Sequence, residues 1–148
     1  MNKEIRRLHH ALIDLVGMIN QPQRDIALIR EAGISLDRAL FPLLVGIERR
    51  GPIGVGELAD LVARDYTTVS RQLAKLESLR LVARRPCKGD GRVREATIAA
   101  KGRAMTDSLD AARERLASVL LADWSKKDLQ DLARLMRRFA DDLLAWRT

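Results

Sequence analysis

Residues 55–98 read VGELADLVARDYTTVSRQLAKLESLRLVARRPCKGDGRVREATI and contain the clearest structural pattern of the chain. Apolar residues recur at helical spacing in two successive segments, namely Leu58, Ala59 and Val62 and then Val69, Leu73 and Leu76. A polar break at residues 63–65 separates the segments, and the second helix is predicted to begin at residues 66–68 with Asp65 or Thr67 as its N-cap. Two helices joined by so short a break form a helix-turn-helix pattern.

The residues after Leu79 change from helical to strand-like spacing. Residues 81–85 and 93–98 are predicted to be strands, and residues 86–91 between them are rich in turn-forming types. The result is a β-hairpin with a basic tip. A helix-turn-helix followed directly by such a hairpin is a winged helix, and this combination is more specific than either part. The predicted fold class is therefore mainly α with a small β-hairpin wing.

Positive charge is concentrated in about a quarter of the 148-residue chain. Residues 64–103 contain eleven of the 27 basic residues and four of the 20 acidic ones, which accounts for the whole net charge of +7, because the remainder contains sixteen of each sign. A neutral scaffold with one basic segment is typical of a protein that binds a polyanion such as nucleic acid. Charge alone does not distinguish such a protein from one whose basic surface only contacts solvent, so the solvated surface stays open as the alternative.

The polar side of the second helix has the residue types of a DNA-recognition helix. Arg and Gln can hold guanine and adenine edges with two hydrogen bonds each, while Thr and Ser can reach phosphates or base edges. The candidate DNA-binding residues of this helix are Thr67, Thr68, Ser70, Arg71, Gln72 and Lys75. Those of the hairpin, which could straddle a phosphate backbone and enter a narrow minor groove, are Arg85, Lys88, Arg92 and Arg94. Asp90 is expected to orient an arginine through an ion pair.

Helical spacing also precedes the winged helix. A first apolar stripe runs from Ile5 to Ile19, and Pro22 is expected to end or kink that helix because proline lacks the backbone N–H. A second stripe reaches Gly33, a candidate C-cap. Ser35 is the expected N-cap of the next helix, and Gly51-Pro52 stops it.

Two more helices are predicted after the hairpin. The first covers roughly residues 101–122, and Ser125 opens the last one. Apolar residues in the last helix step by three and four from Leu129 to Trp146, which is a heptad seam. The residues assigned to a dimer interface are Ile5, Leu8, Leu12, Leu132, Met136, Phe139 and Leu143. Packing within one chain is the alternative for these stripes.

Several other functions are not indicated by the sequence. No nucleophile elbow, P-loop, HExxH or glycine-rich dinucleotide motif is present, so we predict that the chain is not an enzyme. His9-His10 have no third ligand cluster, and neither a metal nor a cofactor is expected. No apolar run reaches the roughly 20 residues that span a bilayer, so we expect no membrane partner and a cytoplasmic location. Cys87 is flanked by basic residues, which favour the thiolate form of a cysteine, so a redox role for Cys87 stays open.

These features together resemble the MarR family of winged-helix bacterial transcription regulators. The matching motifs are GPIGVGELA (51–59), TTVSRQLAKLE (67–77), LVARRP (81–86), DGR (90–92) and KG (101–102). Arg80 stands where the family usually has Gly, and Ile98-Ala99-Ala100 replaces the usual Leu-Thr. Pro22 falls within what is commonly one long first helix.

The resemblance implies a homodimer. Residues 1–33 and 101–148 would form one intertwined helical dimerisation lobe, and residues 34–100 the winged helix-turn-helix DNA-binding lobe. The partner would be double-stranded DNA at a near-palindromic operator, with half-sites about one turn (~10 bp) apart. The resemblance further implies a repressor, and a small-molecule effector that binds between the lobes and changes the spacing of the recognition helices. A non-specific architectural DNA-binding protein and a winged helix that binds proteins stay open as alternatives.

Overall fold

A computed structural model describes residues 2–146, except the side chains of Asp90 and Val93. The helices are α1 (Lys3–Ile19), α2 (Pro22–Glu31), α3 (Phe41–Arg50), α4 (Val55–Val62), α5 (Tyr66–Ser78), α6 (Ala100–Leu120) and α7 (Lys126–Ala145). The strands β1 (Ile53–Gly54), β2 (Val82–Cys87) and β3 (Asp90–Ile98) form an antiparallel sheet in the order β1-β3-β2. The predicted fold class is confirmed. The described chain divides into two compact units, one up to Ala112 and one from Arg113 onwards.

The core of the first unit is aliphatic and lies between α3, α4, α5 and the sheet. Its side chains without exposed surface are Leu43, Leu44, Leu58, Val69, Leu73, Leu76 and Ala96. Three of these belong to α5 and follow the spacing of one helix face. The opposite face of α5 is thereby left outward.

The sheet is larger than the sequence predicts. In β1, Ile53 pairs with Ala96 and Gly54 with Glu95, and a two-residue strand has too few positions to show alternation in the sequence. The hairpin turn is also tighter than the predicted loop at residues 86–91, because the strands extend to Cys87 and from Asp90. Gly89 adopts a φ of +97° in this turn, a conformation that glycine tolerates best.

Pro22 ends one helix and begins the next, as predicted. Helix α1 stops at Ile19, and Pro22 occupies the first turn of α2, where its missing N–H costs nothing. Gly33 follows α2 with a φ of +68°, and its N–H donates to the carbonyl of Arg30 at 3.0 Å. The C-cap is therefore Ala32, one residue before the predicted Gly33, and Gly33 is the left-handed residue that follows it.

The predicted N-cap at Ser35 is wrong, because α3 begins at Phe41. Pro42 explains the later start, since proline is tolerated in the first turn of a helix and disrupts its interior. The residues ahead of α3 form a turn in which the Asp37 carboxylate Oδ1 accepts the Ala39 N–H at 2.8 Å. This turn, here called the α3 approach loop (residues 35–40), is important for the site below.

Helix α5 ends in a motif that usually contains glycine. Arg80 has a φ of +61°, its N–H donates to the carbonyl of Glu77 at 2.9 Å, and the Leu81 N–H donates to the carbonyl of Leu76 at 3.1 Å. This is a Schellman motif with a left-handed residue, and Leu81 and Leu76 pack in the same core. Arg80, at the position where the resemblance leads us to expect glycine, thus has glycine-like backbone geometry.

The second unit contains the end of α6 and all of α7. Ser125 is the N-cap of α7 as predicted, with its hydroxyl accepting the Asp128 N–H at 3.0 Å. None of the residues of α7 is buried in the single chain, and the same holds for α1 in the first unit. Within residues 2–146, none of the helices combines the length and the apolar character that crossing a membrane requires.

We predict that Arg80→Gly stabilises the fold. A side chain at a φ of +61° costs roughly 1–2 kcal/mol of strain, which glycine removes. Because glycine also raises the conformational entropy of the unfolded chain, the net stabilisation is smaller than this strain. The free energy of unfolding, measured with urea, should rise by about 0.5–1 kcal/mol. Ser78→Gly, at the last residue of α5, is the control and should lower it by up to about 1 kcal/mol. Equal destabilisation by both variants would show that Arg80 is unstrained.

Candidate nucleic-acid interface

The start of α5 is fixed by Asp65, one of the two predicted caps. Its carboxylate accepts the Thr68 N–H at 2.9 Å and the Thr68 hydroxyl at 2.6 Å. These two hydrogen bonds lower the pKa of Asp65, the bond from the Thr68 hydroxyl contributing most. The stabilisation that the ionised cap provides is therefore present above the unfolded pKa and is lost only as the pH falls through the lowered folded pKa. The Thr68 hydroxyl hydrogen is used in this cap.

The six candidate residues of α5 divide into two groups. Thr67, Arg71 and Lys75 are exposed on the side opposite the buried Val69, Leu73 and Leu76. Thr68, Ser70 and Gln72 are half-buried. Within α5, Glu77 is the one acidic residue, and its carboxylate lies 3.9 Å from Nε of Arg84. The outward face of α5 is thus positive over most of its length.

Gln72 already has a partner within the chain. Nη1 of Arg64 donates to Oε1 of Gln72 at 2.9 Å and to the carbonyl of Ala39 at 2.6 Å. Arg64 lies in the turn between α4 and α5 and is not among the predicted site residues. The contact joins residues 8 and 25 positions apart, so local spacing carries no signal for it.

The predicted hairpin residues Arg85, Lys88, Arg92 and Arg94 are all exposed. The structure brings two of them together with α4 and the start of α5. A cleft of about 500 Å³, here called the wing cleft, is lined by Gly54, Val55, Gly56, Glu57, Tyr66, Arg84, Arg92 and Arg94. Arg85 and Lys88 are not among its lining residues. The predicted orienting role of Asp90 concerns a side chain outside the described part of the structure.

Arg84 and Tyr66 also line the wing cleft, although neither is among the predicted site residues. Arg84 pairs directly with the buried Ala96 across the β2–β3 ladder, so the two side chains lie on the same sheet face. Its Nε lies 3.9 Å from the Glu77 carboxylate and has no hydrogen-bond partner within the part of the chain that the structure describes. The alternation along β2 is the signal that separates Arg84 from the outward Arg85.

A second cleft of about 520 Å³, here called the approach cleft, lies between the α3 approach loop and α5. Its lining residues are Ser35, Leu36, Asp37, Ala39, Leu40, Thr68, Arg71, Gln72, Lys75 and Leu79. Four of the six candidate DNA-binding residues of α5 therefore also border a cleft. Its walls combine two cations and one carboxylate, that of Asp37, with three leucines.

Comparison with known proteins identifies the family. Over 104 residues the chain is 32% identical to an uncharacterized HTH-type transcriptional regulator, YxaD of Bacillus subtilis (strain 168), and the match covers 70% of this chain and 73% of that protein. The fold of this chain is similar to that of a MarR family protein from Bacillus stearothermophilus. The TM-score is 0.76 and the identity 20%, and the match covers 97% of this chain and 99% of the other. The chain belongs to the MarR family of winged helix-turn-helix transcription regulators.

Two further comparisons concern the fold and the winged-helix region. The crystal structure of MarR has a similar fold, with a TM-score of 0.66, 24% identity, and coverage of 89% of this chain and 98% of that chain. A family model described as HVO_A0114 matches residues 35–97, which run from the α3 approach loop to the next-to-last residue of β3. As a MarR-family member the chain is a DNA-binding transcription regulator. The basic surfaces described above are its candidate contacts with DNA.

Proposed function

We propose that this MarR-family chain is a homodimeric repressor that binds a near-palindromic operator and is released by a small-molecule effector. The observation that carries the DNA-binding part is the arrangement of cations around α5. Arg71 and Lys75 project from its outward face, and Arg92 and Arg94 border the wing cleft beside its first residue, Tyr66. A helix of this kind fits the major groove, while a basic wing reaches the neighbouring minor groove.

In this proposal Arg71 reads a base edge and Thr67 and Lys75 contact the groove or its phosphates. Ser70 and Thr68 lie at the flanks, and Thr68 contributes acceptor lone pairs, because its hydrogen is used by Asp65. The wing residues Arg85, Lys88, Arg92 and Arg94 contact the phosphate backbone and the minor groove. We assign repression because a bound dimer occludes the duplex that it covers.

Dimerisation is supported by apolar surface that one chain leaves uncovered. In α1, Ile5 and Leu8 are 55% and 45% exposed, and in α7, Met136 and Leu143 are 42% and 53% exposed. Leu132 is exposed too, whereas Leu12 and Phe139 are half-buried. Apolar stripes of this length on a water-exposed helix mark an interaction surface, and a second copy offers the same stripes. We propose that α1 and α7 pair across a twofold axis, which leaves residues 34–100 as the DNA-binding lobe.

The approach cleft supports an effector site. Its cations Arg71 and Lys75 would bind an anionic group, and its leucines Leu36, Leu40 and Leu79 would cover an apolar body. An aromatic carboxylate or a phenolate has both parts. Because Arg71 and Lys75 also face the duplex in this proposal, such a ligand competes directly with DNA.

The first prediction of the proposed function concerns operator preference. Bound fragments selected from the source genome should contain a near-palindrome that the wild type prefers to random DNA by at least about 10³-fold. Arg71→Ala should cost about 1–3 kcal/mol and relax the base preference at one position of each half-site. Arg92→Ala should weaken binding more evenly and reduce preference for A·T-rich flanks. Arg24→Ala, on α2, is the control and should bind like the wild type.

Two outcomes would contradict the proposed regulator function and indicate a different one. Equal affinity for selected and random DNA would indicate an architectural DNA-binding protein. No binding to any duplex at low salt would indicate a winged helix that binds proteins. In either case the assignment of α5 as a reading helix fails.

The second prediction concerns the dimer. Met136→Asp places a charge where a partner would exclude water, so the dimer Kd should rise at least about tenfold. Sedimentation equilibrium should give twice the chain mass for the wild type. Gln130→Asp, on an exposed position of the same helix, is the matched control and should dimerise normally. A wild type that sediments with the mass of one chain contradicts the proposal.

The third prediction concerns the effector. Millimolar aromatic carboxylates should release the wild type from its operator. Ser35→Glu adds a negative charge to the lining of the approach cleft and should weaken release at least about tenfold, through repulsion at close range. Ser118→Glu, the same change on α6, should leave release unaltered. Unchanged release in Ser35→Glu would place the effector elsewhere.

A further inference from the structure

Arg84 is a charged residue on the sheet face that packs against the core. It lies on β2 opposite the buried Ala96, and Val82, two residues earlier on the same face, belongs to the core. Only 21% of the Arg84 side chain is exposed, whereas the neighbouring Arg85 is exposed on the other face. Because arginine is rarely buried without a partner for its charge, the contacts of Arg84 decide what the residue does there.

The chain compensates the burial of this guanidinium group poorly. Its Nε is buried without a hydrogen-bond partner in the described part of the chain, and Oε2 of Glu77, 3.9 Å away, is beyond hydrogen-bond length. A buried donor without an acceptor lowers stability. The Glu77 side chain is 47% exposed, so water screens much of the attraction between the two charges. The stability of the fold therefore does not explain an arginine at this position.

Arg84 lines the wing cleft, where an anion would find both charge and space. Arg92 and Arg94 lie in the same lining, and Glu57 is the one carboxylate among the lining residues. On the α4 side, Gly54 and Gly56 have no side chains, and a Cβ atom on either would meet nothing within 4 Å. A planar guanidinium fork can hold a phosphate with two parallel, charge-assisted hydrogen bonds.

We propose that Arg84 binds a backbone phosphate of the duplex in the wing cleft. The inference rests on the proposed function and adds to it a contact that the predicted set of DNA-binding residues lacks. The phosphate supplies the acceptors that the chain does not offer, and Glu77 is the counter-ion of Arg84 when no DNA is bound. Because every base pair carries the same phosphates, this contact adds affinity without base preference.

The first measurement separates binding from folding. Arg84→Met replaces the guanidinium group by an apolar chain, and the half-exposed Glu77 is not left as a buried unpaired charge. The unfolding equilibrium constant in urea should therefore rise by no more than about twofold. The affinity for DNA should fall at least about tenfold, by the same factor for operator and random duplex. Arg24→Met, the same change at an exposed position of α2, is the control and should bind like the wild type.

The second measurement locates the phosphate. Each protein is bound to operators in which one phosphate at a time is replaced by an uncharged methylphosphonate. The wild type should lose at least about tenfold in affinity at the phosphate that Arg84 binds, and Arg84→Met should be insensitive to that one replacement. Arg84→Lys keeps the charge and should restore the sensitivity. The slope of log affinity against log salt should become less steep in Arg84→Met by about 0.9 for each half-site.

Three results would overturn the proposal. Wild-type affinity and salt slope in Arg84→Met would remove the contact and leave the proposed function intact. An unfolding constant raised at least about tenfold, with affinity lowered alike at every phosphate, would make Arg84 a residue of the fold. Release of the wild type by millimolar inorganic phosphate at constant ionic strength, absent in Arg84→Met, would assign the site to a free anion.

A further outcome separates this proposal from the proposed function. The wild type could bind operator and random duplex equally and still show the one phosphate to which Arg84→Met is insensitive. The phosphate contact would then stand, and the assignment as a sequence-specific regulator would fail. A wild type that binds no duplex at low salt would overturn both.

Discussion

Burial of one side of α5 is the constraint on which the rest of the interface depends. Val69, Leu73 and Leu76 have essentially no exposed surface, and truncating a leucine in such a place typically costs about 2–5 kcal/mol. A helix held so firmly on one side has no freedom to rotate about its axis. Its outward residues are therefore presented in one fixed order, with Arg71 and Lys75 one turn apart.

Both ends of α5 are also fixed, by different means. Asp65 caps the first turn with two bonds from Thr68, and the Schellman motif at Arg80 closes the last turn. The same motif leads directly into Leu81 and β2, so the end of α5 also sets where the wing begins. The position of the wing relative to α5 thus begins at a helix terminus, and the core shared by α5, Val82 and Ala96 supports it.

Much of this fold was predictable because its signals are local. The spacing of α4 and α5, the break at Pro22 and the cap at Ser125 are each contained within a few neighbouring residues. The start of α3 was mistaken because Ser35 has the side chain of a good cap, while Pro42 sets the actual start. Strand β1 and the contact from Arg64 to Ala39 depend on residues far apart in sequence, and spacing contains no information about them. The candidate site was therefore predictable as a set of charges, but the partners that restrain Thr68 and Gln72 were not.

An excess of positive charge destabilises the protein when no DNA is bound. This excess bears on how the release of DNA would be controlled. Arg84, Arg92 and Arg94 border one cleft in which Glu57 is the one carboxylate among the lining residues, so the lining carries an excess of positive charge. In the proposed complex, a duplex in the wing cleft would neutralise this excess, which would favour the bound state beyond its direct contacts. The approach cleft is lined by a different pair of cations, Arg71 and Lys75, which lie on the outward face of α5. A ligand there would remove the groove contacts while leaving the wing contacts available, so release would begin with a loss of sequence preference. Control of this kind requires only competition for two side chains and does not depend on a signal transmitted between distant parts of the molecule.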